Sequence, residues 1–183
     1  MTGAPVHVWR GGLRWLRGGV RLVLGMGTLV AAGFACAPSP DSNARVPIVA
    51  PDLGSFQPVS AFLEHRCGSL DCHGQVGRNL RVLGHEGLRL DPNDVPGGSP
   101  TTAAEIEANY GSVASLEPEV MAAVVGDGGS HPERLTLVRK GRGTEHHKGG
   151  ALVIVGDDQD RCLTSWLAGS TDGAACTAAL DTP

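Results

Sequence analysis

Aromatic residues are scarce in this chain. Three Phe, three Trp and one Tyr occur in 183 residues, and beyond residue 35 only Phe56, Phe62, Tyr110 and Trp166 remain. Such a composition builds a thin core, and small domains with thin cores often add staples such as disulfides or bound cofactors. The apolar run from Leu22 to Phe34 has 13 residues, short of the roughly 20 that a membrane-spanning helix needs. Hydrolytic signatures are missing too: there is no Gly-x-Ser-x-Gly elbow, no His-Glu-x-x-His zinc motif and no P-loop. The acidic stretches Gly126-Asp127-Gly128-Gly129 and Gly156-Asp157-Asp158-Gln159-Asp160 lack EF-hand spacing, so they read as a turn and a helix cap. No repeat recurs at a fixed period, which argues against a solenoid or propeller.

What is present begins with an export signal. Arg10, Arg14, Arg17 and Arg21 precede the short apolar run, and residues 1–35 contain no acid. The run ends at Gly33-Phe34-Ala35-Cys36, which resembles the lipobox of bacterial lipoproteins and implies a lipid on Cys36. Cleavage by an ordinary signal peptidase near Ala35 or Ala37 would instead release a soluble periplasmic protein. Residues 36–57, rich in Pro, Ser, Asp and Asn, then read as a flexible tether. Losing residues 1–35 removes four arginines and no acid from totals of 15 basic and 19 acidic residues, leaving 11 against 19 and a net charge of about −8. An acidic surface disfavours nucleic acid as a partner.

The rest, 58–183, reads as one mainly α domain with long Gly- and Pro-rich loops. Ser60 is a candidate cap for a short helix whose Val59, Phe62, Leu63 and Arg66 recur at spacings of three and four, ending at Cys67. Residues 74–98 predict loop with short extended pieces. Thr102-Ala103-Ala104-Glu105 is a capping box that starts a helix to about Tyr110, with Ile106 and Tyr110 facing inward. Pro118 starts a helix that Gly126 stops; Leu135 to Arg139 forms a short helix or strand; 141–150 is a basic loop. Asp157 or Asp158 caps the last clear helix, which carries Cys162, Leu163, Trp166 and Leu167 and ends near Gly169.

The segment that carries chemistry is Cys67-Gly68-Ser69-Leu70-Asp71-Cys72-His73. Covalent haem attachment requires two thiols that reach the two vinyl groups, and a His beside the second thiol to bind iron. Cys72-His73 keeps that relation, while four residues rather than two separate the cysteines, and Gly68 would help the longer loop fold back. Two other readings stay open at this point. Cys67 and Cys72 could form a disulfide in an oxidising compartment, or join His73 and a distant His around zinc.

Phe62-Leu63, Arg66-Cys67-Gly68, Asp71-Cys72-His73-Gly74, Gly87-Leu88-Arg89-Leu90-Asp91, His147-Lys148-Gly149-Gly150, and Asp160 through Cys162 with Trp166-Leu167-Ala168-Gly169 together resemble the c-type cytochrome domains of exported bacterial proteins. The resemblance spans about residues 58–170. It implies a small cytochrome c-like helical domain with one covalent haem c, Cys67 and Cys72 as thioethers and His73 as proximal iron ligand.

A low-spin electron-transfer haem needs a second axial ligand, usually Met or His. Beyond residue 35 the only methionine is Met121, in an apolar run where a core role is the plain expectation. His147 is the better candidate, because Gly149 and Gly150 after it allow close backbone approach and the resemblance places a His there; His146 is a near substitute. His65, His85 and His131 are expected at the surface. With Cys36, Cys67 and Cys72 assigned, Cys162 and Cys176 remain as an even pair for a disulfide, with two free thiols as the alternative.

The function this reading leads to is electron transfer with redox partner proteins, in the periplasm or at the membrane, rather than catalysis. A ligand-sensing or peroxidase-like role follows if the sixth position is open. The competing expectation is a cofactor-free, disulfide-stapled envelope lipoprotein that acts as a binding or structural module.

Overall fold

The structure, a computed structural model, describes residues 49–181. The expected export segment, Cys36 and most of the expected tether lie outside the described residues. Six helices form the fold, and no strand occurs among the described residues. No helix there is long and apolar enough to cross a membrane. The mainly α expectation holds.

Helix α1 spans Gln57–Cys67, with Pro58 in its first turn. Proline suits that position because its fixed φ is already helical and its missing N–H is not needed there. Ser60 is therefore not the cap; it lies buried inside the helix, and its hydroxyl accepts a hydrogen bond from Asn109 Nδ2 at 3.1 Å. Ordered structure also starts ahead of Pro58. A 3-10 turn at Leu53–Ser55 leads into Phe56, which is fully buried against Trp166 and Tyr110 at ring-centroid distances of 4.9 and 5.5 Å. One aromatic side chain joining the core outweighs the tether-like composition around it.

Helix α2 spans Ala103–Ala114 and opens with the expected capping box: Glu105 N–H donates to Thr102 Oγ1, and Thr102 N–H donates to Glu105 Oε2. It runs a turn beyond Tyr110, because Val113 and Ala114 still have core to bury. Its most buried positions are Glu105 and Asn109 rather than Ile106 and Tyr110, which are only partly covered. Both polar side chains pin the irregular segment 68–101. Arg89 donates to Glu105 from Nε at 2.9 Å and from Nη2 at 3.1 Å, and Asn109 brackets Leu83 through its N–H and its carbonyl at 2.6 and 2.7 Å. Leu80, Val82 and Leu83 are thereby held in the core without regular structure.

Helix α3 spans Pro118–Gly126, with Met121 and Val124 buried, as expected. Helix α4, Thr136–Gly141, settles the helix-or-strand alternative for that stretch. Helix α5, Asp158–Leu167, is capped by Asp157, whose carboxylate accepts from Asp160 N–H. A sixth helix, α6, spans Gly173–Leu180 where no helix was expected. Gly169, at φ +77°, ends α5, but Asp172 caps the chain again and the Cys162–Cys176 disulfide holds the alanine-rich segment against α5. Helices α1, α5 and α6 pack on one another around Trp166, which has no exposed surface.

Candidate functional site

Helix α1 delivers Cys67 at its C-terminal end, where Gly68 N–H donates to Glu64 O at 2.8 Å. The four residues between the cysteines close into a compact turn. Cys72 and Gly74 N–H donate to Ser69 O at 3.0 and 2.9 Å, and His73 N–H donates back to Cys67 O at 2.9 Å. The longer spacing thus returns His73 to the end of the helix that carries the first cysteine. Gly68 itself has helical backbone (φ −82°), so left-handed freedom is not its contribution. Its carbonyl is crowded instead: a Cβ on Gly74 or Gly87 would lie 1.7 or 1.9 Å from Gly68 O. Only glycine fits at either position.

His73 Nδ1 lies 2.8 Å from Leu80 O. A carbonyl can only accept, so the imidazole carries its proton on Nδ1 and keeps the Nε2 lone pair free. That is how metal-binding histidines are characteristically held. Burial lowers the His73 pKa against the opposing pull of the Leu80 bond, with His147, Arg78 and Lys140 pushing it further down, so the ring is neutral at pH 7.

The ring faces a cavity of about 330 Å³, near the lower end of the range for small-molecule sites. Phe62 and Leu63 of α1, Leu80, Leu137 of α4, Leu163 of α5 and Leu152 of the loop before it make it largely apolar. His147 enters from the loop between α4 and α5. Its ring lies stacked with that of His73, centroids 5.8 Å apart and planes 24° apart. His147 Nδ1 is buried without a hydrogen-bond partner, an arrangement that costs free energy unless something else satisfies it. A Cβ on Gly149 would lie 3.1 Å from His147 Cε1, so this glycine leaves room for the ring. Arg139 and Lys140 both reach Glu145, at 2.8 and 3.5 Å, which ties the His147 loop to α4.

Cys67 lines the cavity, and its thiol is pushed up to about 12, first by burial and then by Cys72, with Arg66 opposing. It is a protonated thiol at neutral pH. Cys72 is half-buried and does not line the cavity. The two are free thiols, so the disulfide considered for this pair is not formed. The four-ligand zinc site finds no support either: among the described residues no group of three or more His, Cys, Asp or Glu side chains is placed to hold a metal ion. His73 and His147 are the two imidazoles on the cavity wall.

Of the other candidates, Met121 is 1% exposed within the core and does not line the cavity, and His146 is exposed and also outside it. His65, His85 and His131 are exposed, as expected. Sequence reasoning missed Leu80 O, which orients His73, and the two cations on the cavity wall, Arg78 and Lys140. Lys140 carried a usable signal, since it follows the inward Leu137 by one turn of α4; Arg78, in an irregular loop, carried none. Comparison with protein-family models, curated protein sequences and solved structures finds no match to this chain.

Proposed function

We propose that this chain is an exported monohaem c-type cytochrome that transfers single electrons. The observation that carries the reading is the His73–His147 pair: two stacked imidazoles facing an apolar cavity, one with its tautomer set by Leu80 O and the other with an orphaned buried nitrogen, beside the thiol of Cys67. In this reading Cys67 and Cys72 form the thioethers, His73 is the proximal ligand and His147 the distal one. The iron would supply the one-electron chemistry. The protein holds the His73 imidazole neutral and supplies the apolar walls. Two histidine ligands give a lower potential than a His/Met pair. A lipid on Cys36 would hold the domain at the periplasmic face of a membrane, where redox partner proteins reach it, with a soluble periplasmic form as the alternative.

Export into a periplasm equipped for haem attachment, followed by reduced and oxidised absorption spectra, tests the reading. A covalently coloured band on a denaturing gel and a sharp Soret peak are expected, with little spectral response to carbon monoxide. A marked carbon monoxide shift would mean an open sixth position and a ligand-sensing or peroxidase-like role. A colourless protein would sink the haem reading. It would favour the cofactor-free envelope module, which draws support from the Cys162–Cys176 staple and the Trp166-centred core that closes around it.

A further inference from the structure

His73 and His147 are held in different ways. The His73 ring is fixed by its own hydrogen bond, with Nδ1 2.8 Å from Leu80 O, whereas His147 Nδ1 is buried with no such partner. The direction in which His147 points is therefore set by the loop that carries it, and that loop is tied to α4 at both ends. At its far end Leu152 and Val153 N–H both donate to Gly141 O, at 2.9 and 3.0 Å. At its near end Thr144 and Glu145 N–H donate to Arg139 O at 3.0 and 3.3 Å. The Glu145 carboxylate also accepts from Arg139 Nε at 2.8 Å, and Lys140 Nζ lies 3.5 Å from its other oxygen. Between the two ties the chain turns, Gly150 N–H donating to His147 O at 3.0 Å.

An ion pair between partly exposed side chains ordinarily contributes little, because both must give up rotamer freedom to form it. Arg139 has already given its freedom up. Its Nη1 donates to Glu133 O and Arg134 O and its Nη2 to Thr136 Oγ1, so the guanidinium stands in place and presents Nε to Glu145. The bond from Arg139 in turn holds the Glu145 carboxyl below its usual range, which keeps it ionised at neutral pH.

Resting on the haem reading above, we infer that Glu145 is the positioning residue for the distal ligand: clamped by Arg139 and Lys140, it keeps His147 turned into the cavity and so limits how often the sixth position opens to an external small ligand. Glu145 does not line the cavity and stands two residues ahead of His147, so it acts through that ring and not on the occupant. An external ligand binds only those molecules whose His147 has swung away, and its apparent affinity rises in proportion to their fraction.

Carbon monoxide titration of the reduced, haem-loaded full chain reads that fraction. Glu145→Ala should raise the apparent affinity about fivefold, and Glu145→Gln, which keeps an oxygen for Arg139 Nε but no charge, should raise it by less. In a His147→Ala background nothing is left to swing away, so adding Glu145→Ala should change nothing, and the four proteins together isolate the coupling. Unchanged affinity in both single variants overturns the assignment. An equal rise with and without His147 also overturns it, because the loss would then act by another route. Should Glu145→Ala fail to fold, Glu145→Gln carries the same comparison in both backgrounds. A native chain as open to carbon monoxide as His147→Ala keeps the haem but removes His147 as its ligand, and the assignment goes with it. A colourless native protein is a different failure, that of the haem reading itself, on which the assignment depends.

Discussion

The two sides of α1 are built on different principles. On one side, α1, α5 and α6 close around Trp166 with Phe56, Val59 and Leu167 fully or almost fully buried and a disulfide across α5 and α6. On the other, irregular segments and short helices surround the cavity, held by Gly68–Gly74–Gly87 contacts, by Asn109 and by the Arg89–Glu105 pair. The cavity side keeps a buried imidazole nitrogen of His147 without a partner, and away from the cavity Gln159 of α5 is buried with both side-chain amide atoms unpartnered. The difference contrasts a side closed by apolar packing and a disulfide with one that opens onto a cavity, while Phe62, Leu63 and Leu163 belong to both.

Breaking the packed side should have the largest effect. Trp166→Ala empties the centre of the only aromatic cluster described, and about 3–5 kcal/mol of stability should be lost, most of what a small domain has. Equilibrium urea unfolding checks it; a loss below about 1 kcal/mol would mean that the aromatic cluster is not the keystone. Replacing both Cys162 and Cys176 by Ser should cost about 3 kcal/mol on the loop-entropy estimate, seen as a lower thermal midpoint that a reductant reproduces in the native chain.

The cavity side should respond to acid first. Burial would raise the Glu105 carboxyl, but hydrogen bonds from Arg89, Thr102 and Leu90 hold it down to about 2, from 4.5. Its folded pKa is depressed, so its contribution is complete above about pH 4.5 and is lost as pH falls toward 2. Urea midpoints measured across that window should fall, and Glu105→Gln should flatten the dependence; an unchanged slope in the variant would assign the acid sensitivity to other carboxylates. His147→Ala should have the smallest effect on folding, under about 1 kcal/mol in the cofactor-free protein, because the ring makes no hydrogen bond through Nδ1. If the chain carries the proposed haem, the same change should open its sixth position to carbon monoxide. A large stability loss without any spectral change would reverse the division drawn here between the two sides.

Local signals were readable wherever one residue type does one job. The Thr102–Glu105 capping box, Pro118 at a helix start, a cap at Asp157 or Asp158 and the Cys162–Cys176 pair could all be seen from spacing, and the structure selects Asp157. The misses share a cause in long-range packing. Phe56 belongs to the core only because Trp166, 110 residues later, is waiting for it, and α6 exists against the pull of a glycine-ended predecessor because a disulfide and Asp172 hold it. At the site, the Cys67–His73 segment and His147 stood out as residues, but the carbonyl that sets the His73 tautomer did not, since no side chain announces it.

By itself, then, the sequence determined which chemistry this chain can carry: two thiols beside an imidazole at a helix end, a second imidazole in a glycine-flanked loop, and too few aromatics for a generous core. Tertiary structure alone decided which of these groups meet. It turned His147 rather than His146 or Met121 toward His73, stored Met121 in the core, and set Arg78 and Lys140 at the rim. Helical periodicity says which way a side chain points from its own axis, but a meeting between loops is settled only when the packing around them is complete.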